Sequence, residues 1–173
     1  LLLIMLFMII TYRLSGVVAA ISLSIYTFAT ILLIQLAEIT LTLPGIAGIL
    51  LSIGMAVDAN VIIFARIREE LAIGKTVRSA VDIGFKKAMS AIVDGNITTL
   101  LAALVLGLKG TGTVKGFAQT LALGIVLSMF TALFVTRLIL KALYAIGLKD
   151  IKLYGVAKEK KTINFLGKRK LFF

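Results

Sequence analysis

Two short stretches set carboxylates and carboxamides among apolar residues: "VDANV" at 57–61 and "VDGNI" at 93–97. Asp58 and Asn60 belong to the first, Asp94 and Asn96 to the second, and Thr98 follows one turn after Asp94. A carboxylate in such surroundings is suited to proton uptake and release. Desolvation favours its neutral form, and water or a nearby cation favours the charged one. The rest of the composition narrows the chemistry. The 173 residues include no histidine and no cysteine, which removes the imidazole shuttle, thiolates, disulfides and the usual metal ligands. No nucleophile–base set or phosphate-binding loop is visible. An enzyme, a cofactor and a metal site are therefore not expected, and protonation chemistry has to run on the carboxylates.

The elements that must position these residues are membrane helices. The chain is 60% hydrophobic with a mean hydropathy of +1.10. Runs of about 20 residues carry almost no charge, the length a helix needs to cross a bilayer. The expected class is an all-α integral membrane bundle with about five spans: 1–12, 16–37, 43–65, 88–107 and 117–137. The first run has neither a polar start nor a signal-peptide charge, so the numbering is expected to begin inside a longer chain.

Charge orients the bundle. Of 19 Lys and Arg residues, 17 lie at Arg13, in the 66–87 connector or from Arg137 onward, and only Lys109 and Lys115 lie on the other side. The positive-inside rule makes the connector and the 141–173 tail cytoplasmic. The net charge of +11 is then topological, with anionic lipid headgroups rather than nucleic acid as its partner. In the connector, Ile67, Leu71, Val77, Ala80 and Val81 recur at helical spacing, with Gly74 as a break and Thr76 as an N-cap. This predicts one or two amphipathic helices along the cytoplasmic surface; a plain solvated loop is the other reading. Pro44 suits the first turn of the helix it opens.

Depth and direction bear on Asp58. It precedes Arg66 by eight residues, roughly 12 Å along a helix, against a half-thickness of about 15 Å for the hydrocarbon core. Asp94 follows Lys87 by seven residues, roughly 10 Å from the same face. Gly45, Gly48, Ser52, Ala56 and Ala59 fall on one stripe, a small-residue seam for close helix contact. Asp58 points away from it, toward the face of Ala47, Gly54 and Ala65, which predicts a helix wedged between neighbours. No Lys or Arg lies inside a predicted span, so nothing here neutralises Asp58 at depth. Two readings of Asp58 stay open on these grounds, a titratable acid and a structural hydrogen-bonding acid. For Asp94, with Thr98 within reach, the structural reading is preferred, and Asn60 and Asn96 read as packing donors.

The stretches "TLPGIAGILLSIGMAVDANVIIFARIREEL", "GKTVRSAVDIGFKKAMSAIVDGNITTL" and "GTGTVKGFAQTLALGIVLSMFTALFVTRLIL" resemble the SecD family of protein-export membrane proteins, over residues 1–140. SecD and its partner SecF belong to the RND superfamily. The resemblance implies six spans with a large periplasmic domain after the first, so this chain would start within the second. It also implies use of the proton-motive force to assist preprotein translocation through the SecYEG translocon. The "VDAN" aspartate would be the proton-transport carboxylate, here Asp58, with its charged partners on the SecF half. The family usually reads "IFERI" where this chain has Ala65, which puts in doubt only a cytoplasmic exit. "KEKKTINFLGKRKLFF" at 158–173 resembles the start of SecF, as in a fused SecDF chain; an ordinary basic tail is the alternative. Two further functions remain open: another RND-type proton-coupled exporter, and a passive scaffold clamping the translocon.

Overall fold

A computed structural model describes residues 2–146, all of whose regular elements are helical. The basic tail from 147 onward, with its SecF-like stretch, lies outside the described residues. The order is α1 (Leu2–Tyr12), α2 (Leu14–Leu36), α3 (Leu43–Ala72), α4 (Val77–Lys109), α5 (Thr113–Phe130), a π turn (Thr131–Val135) and α6 (Thr136–Ala145). By length and composition α2, α3, α4 and the rod Thr113–Ala145 can each cross a membrane, and α1 is a shorter apolar helix. Large side chains such as Phe28, Leu101, Val105 and Leu138 stand exposed on the outside, as a bundle solvated by lipid requires.

Local chemistry sets the helix ends. The Thr42 hydroxyl accepts the Gly45 N–H at 3.2 Å to open α3, with Pro44 in the first turn. There the missing proline N–H costs no helical bond. Thr76 caps α4 through the Ser79 N–H at 3.5 Å. Gly74 turns the chain between the two helices at φ 92°, a conformation that favours glycine.

α3 is the central helix, packed against α4 on one side and α5 on another. The helices expected over 66–87 are present, but as the ends of α3 and α4 rather than as separate surface elements. Ile67, Leu71, Val77, Ala80 and Val81 do share a face. That face is buried in one core with Phe64, Phe85 and Leu140, so it meets protein. Gly84 permits the approach: a Cβ there would lie 2.9 Å from the Ile67 backbone nitrogen.

Charge closes this hairpin. Glu70 is 1% exposed and binds both Lys75 and Lys87, the latter at 2.5 Å. Hydrogen bonds from Lys75 and then Lys87 hold its carboxyl below the usual range. A group so depressed adds stability above its unfolded-state pKa and loses it as pH falls through the folded value. Glu70→Gln is accordingly expected to lower the melting temperature at neutral pH, with the deficit shrinking on acidification. A deficit independent of pH would count against the clamp. Nearby, Asp82 accepts from Arg137 and Lys141, each at 3.0 Å, and so ties α4 to α6.

Candidate functional site

The seam of α3 faces α5. Gly45, Gly48, Ser52, Ala56 and Ala59 are buried, and the Gly45 carbonyl accepts the Thr120 hydroxyl at 3.0 Å. A Cβ at Gly48 would sit 2.6 Å from Thr120 Oγ1 and 3.0 Å from the Phe117 carbonyl oxygen. From the other side, a Cβ at Gly124 would sit 2.3 Å from Ser52 Oγ. Ser52 also accepts the Tyr26 hydroxyl at 2.8 Å, which joins α2 to the seam. Gly54 does not belong to this packing. It is exposed, and a Cβ there would meet nothing within 4 Å, because it lies on the face turned away from α5.

Asp58 shares that outward face. It is exposed rather than wedged, and it has no hydrogen bond or ion pair to any described residue. It borders a cleft of about 190 Å³ between α3 and α4, walled by apolar side chains including Met55, Ile62 and Ile92. Asn96 of α4 lines the same cleft. The structure thus sets Asp58 of the first stretch and Asn96 of the second on the lining of one cleft.

The two remaining members go elsewhere. Asp94 is exposed outside the cleft, where its carboxylate accepts from Ser90 at 3.3 Å. Thr98 does not reach that carboxylate, since its hydroxyl donates to the Asp94 backbone carbonyl at 2.9 Å. Asn60 is buried at a joint of three helices. Its Nδ2 donates to the Ala56 carbonyl at 3.0 Å, and its Oδ1 accepts the Thr136 hydroxyl at 2.9 Å. The Thr136 and Ser22 hydroxyls lie 3.0 Å apart, so α2, α3 and α6 meet in one polar node. The echo between the two stretches is structural as well as textual. Each aspartate is exposed, and each asparagine is buried with Nδ2 bonded one turn back.

The π turn makes the node possible. Thr136 N–H reaches back five residues to the Thr131 carbonyl, and one such wide turn shifts the register of the helix beyond it. The sequence pattern did not mark Thr136, Ser22 or the turn. It did contain a usable signal for the partner of the seam: Gly116, Thr120, Gly124 and Ser128 recur every four residues, a small-residue stripe like that of α3.

Known proteins resemble this chain in sequence and in fold. A family model described as "Protein export membrane protein SecD/SecF, C-terminal" matches residues 1–145. The chain is 59% identical over 138 residues to the protein translocase subunit SecD of Acidaminococcus fermentans, covering 80% of this chain and 33% of that protein. It is 51% identical over 156 residues to SecD of Dictyoglomus turgidum, covering 89% and 39% respectively. It thus spans between a third and two-fifths of the length of these two relatives. Its fold is similar to that of a SecDF crystal structure from Thermus thermophilus, described as a translocon-associated membrane protein. The TM-score is 0.81 at 43% identity, over 84% of this chain and 20% of that one. A helical membrane bundle whose first 145 residues match in this way belongs to the SecD/SecF C-terminal family of protein-export membrane proteins, as a SecD membrane region.

Proposed function

We propose that this chain is the membrane part of a protein-export subunit that uses the proton-motive force to assist preprotein translocation, with Asp58 as the proton-carrying group. One observation carries the reading: a carboxylate deep in an apolar helix, open to a cleft and unpaired among the described residues. A charged side chain at that depth costs at least about 2.5–3.5 kcal/mol on insertion scales, so it faces protein or water and serves a task. Lipid is therefore a poor neighbour for the outward face of α3. A partner membrane domain covers it in this reading, namely SecF or a SecF half of the same chain. The similarity to SecD proteins and to a translocon-associated SecDF supports the remaining partners, the SecYEG translocon and its preproteins. As a transport component rather than an enzyme, it draws on the gradient and takes no cofactor.

Two tests bear on this. The full-length protein, reconstituted with the translocon, is expected to stimulate preprotein movement under an imposed proton gradient and to stop when a protonophore collapses it. Equal stimulation without the gradient would leave a passive scaffold. The charge asymmetry sets the α3–α4 hairpin and the tail on the cytoplasmic side. A cysteine placed at Thr76, in a chain with none, is then expected to resist an impermeant thiol reagent added outside intact cells. Ready labelling would reverse the orientation.

A further inference from the structure

Another cavity, of about 340 Å³, opens between the start of α4 and α6 and shares no lining residue with the Asp58 cleft. Its size falls within the range of roughly 300–1,000 Å³ usual for ligand sites. Val81, Leu140, Tyr144 and Ala145 form apolar walls, and Arg78 and Lys141 supply the charge. Arg78 has no hydrogen bond or ion pair to any described residue. Lys141 pairs with Asp82 at 3.0 Å, through an ammonium that carries three donors. Asp82 stands one turn along α4 from Arg78, a spacing that sets Cβ atoms about 5–6 Å apart. Both cations therefore flank one carboxylate. Arg137 also binds Asp82, so three cations surround a single acid and leave an excess of two positive charges.

The level of this cavity in the bilayer follows from α6. The apolar run ends at Arg137, and Lys141 lies four residues further, roughly 6 Å along the helix. The headgroup layer beyond the hydrocarbon is about 5–8 Å thick. Leu138, Ala142, Ala145 and Ile146 recur at helical spacing, and all four are exposed. An apolar stripe thus leads along α6 from the span to the cavity wall at Ala145. Tyr144 suits the same level, since tyrosine collects where membrane meets water. We propose that this cavity binds one anionic phospholipid, its phosphate between Arg78 and Lys141 and its glycerol and upper acyl carbons against Val81, Leu140 and Tyr144. The positive-inside rule puts the cavity on the cytoplasmic side, where basic pockets between membrane helices take such headgroups. An acidic protein segment would match the charge, but the apolar stripe running out of the cavity favours a lipid with chains. The bound lipid would bridge α4 and α6, whatever the role of Asp58.

The test titrates the purified full-length protein with phosphatidylglycerol, phosphatidylcholine or inorganic phosphate and reads bound ligand by native mass spectrometry. Arg78→Gln breaks no bond among the described residues, so it is expected to fold as the wild type does. It is expected to bind phosphatidylglycerol about tenfold more weakly, the loss of one charge-assisted hydrogen bond. Arg78→Lys is expected to recover most of that affinity. Lys86→Gln is the control, because it removes a charge from the same helix outside the cavity, and it is expected to leave binding unchanged. Phosphatidylcholine, with no net charge, is expected to bind weakly and equally to all four proteins. Equal weakening in Arg78→Gln and Lys86→Gln would reduce the effect to general surface charge and overturn the proposal. Displacement of the lipid by inorganic phosphate at equal concentration would assign the cavity to a free anion instead. Unchanged phosphatidylglycerol binding in Arg78→Gln would overturn the proposal outright, and weaker co-purification of the translocon with that variant would then give the cavity to an acidic protein segment.

Discussion

Gly48→Leu is expected to prevent α3 and α5 from closing, and with them the bundle. A Cβ alone would already meet Thr120 Oγ1 at 2.6 Å, the Phe117 carbonyl oxygen at 3.0 Å and the Leu121 nitrogen at 3.3 Å. Two of these three are backbone atoms of a helix, which cannot swing aside as a side chain can. The helices would have to part, and the Thr120 bond to the Gly45 carbonyl at 3.0 Å would go with the contact. Overpacking typically costs about 1–3 kcal/mol, and more where backbone must move. A membrane bundle has little hydrophobic drive to offset this, since lipid solvates leucine as well as protein does. Leu50→Ala is the control, because Leu50 is 64% exposed on the same helix. Thermal unfolding of the detergent-extracted full-length protein is expected to separate the two by several degrees or by outright loss of folded Gly48→Leu. Equal behaviour would mean that the seam does not hold α3 to α5.

Much of this fold could be read from local pattern, and the exceptions have physical causes. The spans were legible because a bilayer demands long uncharged runs, and the Thr76 cap and Gly74 break because they act within a few residues. The stripe of Gly48, Ser52 and Ala56 was legible because helical periodicity fixes which residues share a face. The sequence predicts one or two surface helices in the connector because Arg66, Arg68, Glu69 and Glu70 mark the end of an apolar run. Charge ends a span, however, and not a helix: α3 continues to Ala72. Small residues on two faces of α3 predict packing on both, Gly54 included, and only the position of α5 says which face is packed. The polar node was out of reach. Thr136 meets a residue 114 positions away at Ser22 and one 76 away at Asn60, through a π turn that no residue in "TALFV" announces. That Asp58 and Asn96 line one cleft likewise depends on how α4 lies against α3.

Asp58→Asn is expected to leave the fold intact and abolish proton flow. The carboxylate has no hydrogen bond or ion pair to any described residue, so its loss breaks none among them. Asparagine keeps the size and polarity but cannot exchange a proton with water. If two conformations of the assembled protein offer Asp58 a dry and a wet environment, protonation and shape become linked, because a proton shifts an equilibrium only through its differential affinity for the two states. Without titration that link is gone. Asp94→Asn is the matched comparison. It removes a second aspartate of the same motif, but one outside the cleft and already bonded by Ser90. The deciding measurement is proton flux through the full-length protein in liposomes under an imposed gradient, for wild type, Asp58→Asn and Asp94→Asn. Flux at the protein-free background in Asp58→Asn, with most of the wild-type flux in Asp94→Asn, is the predicted result; wild-type flux in Asp58→Asn would contradict it.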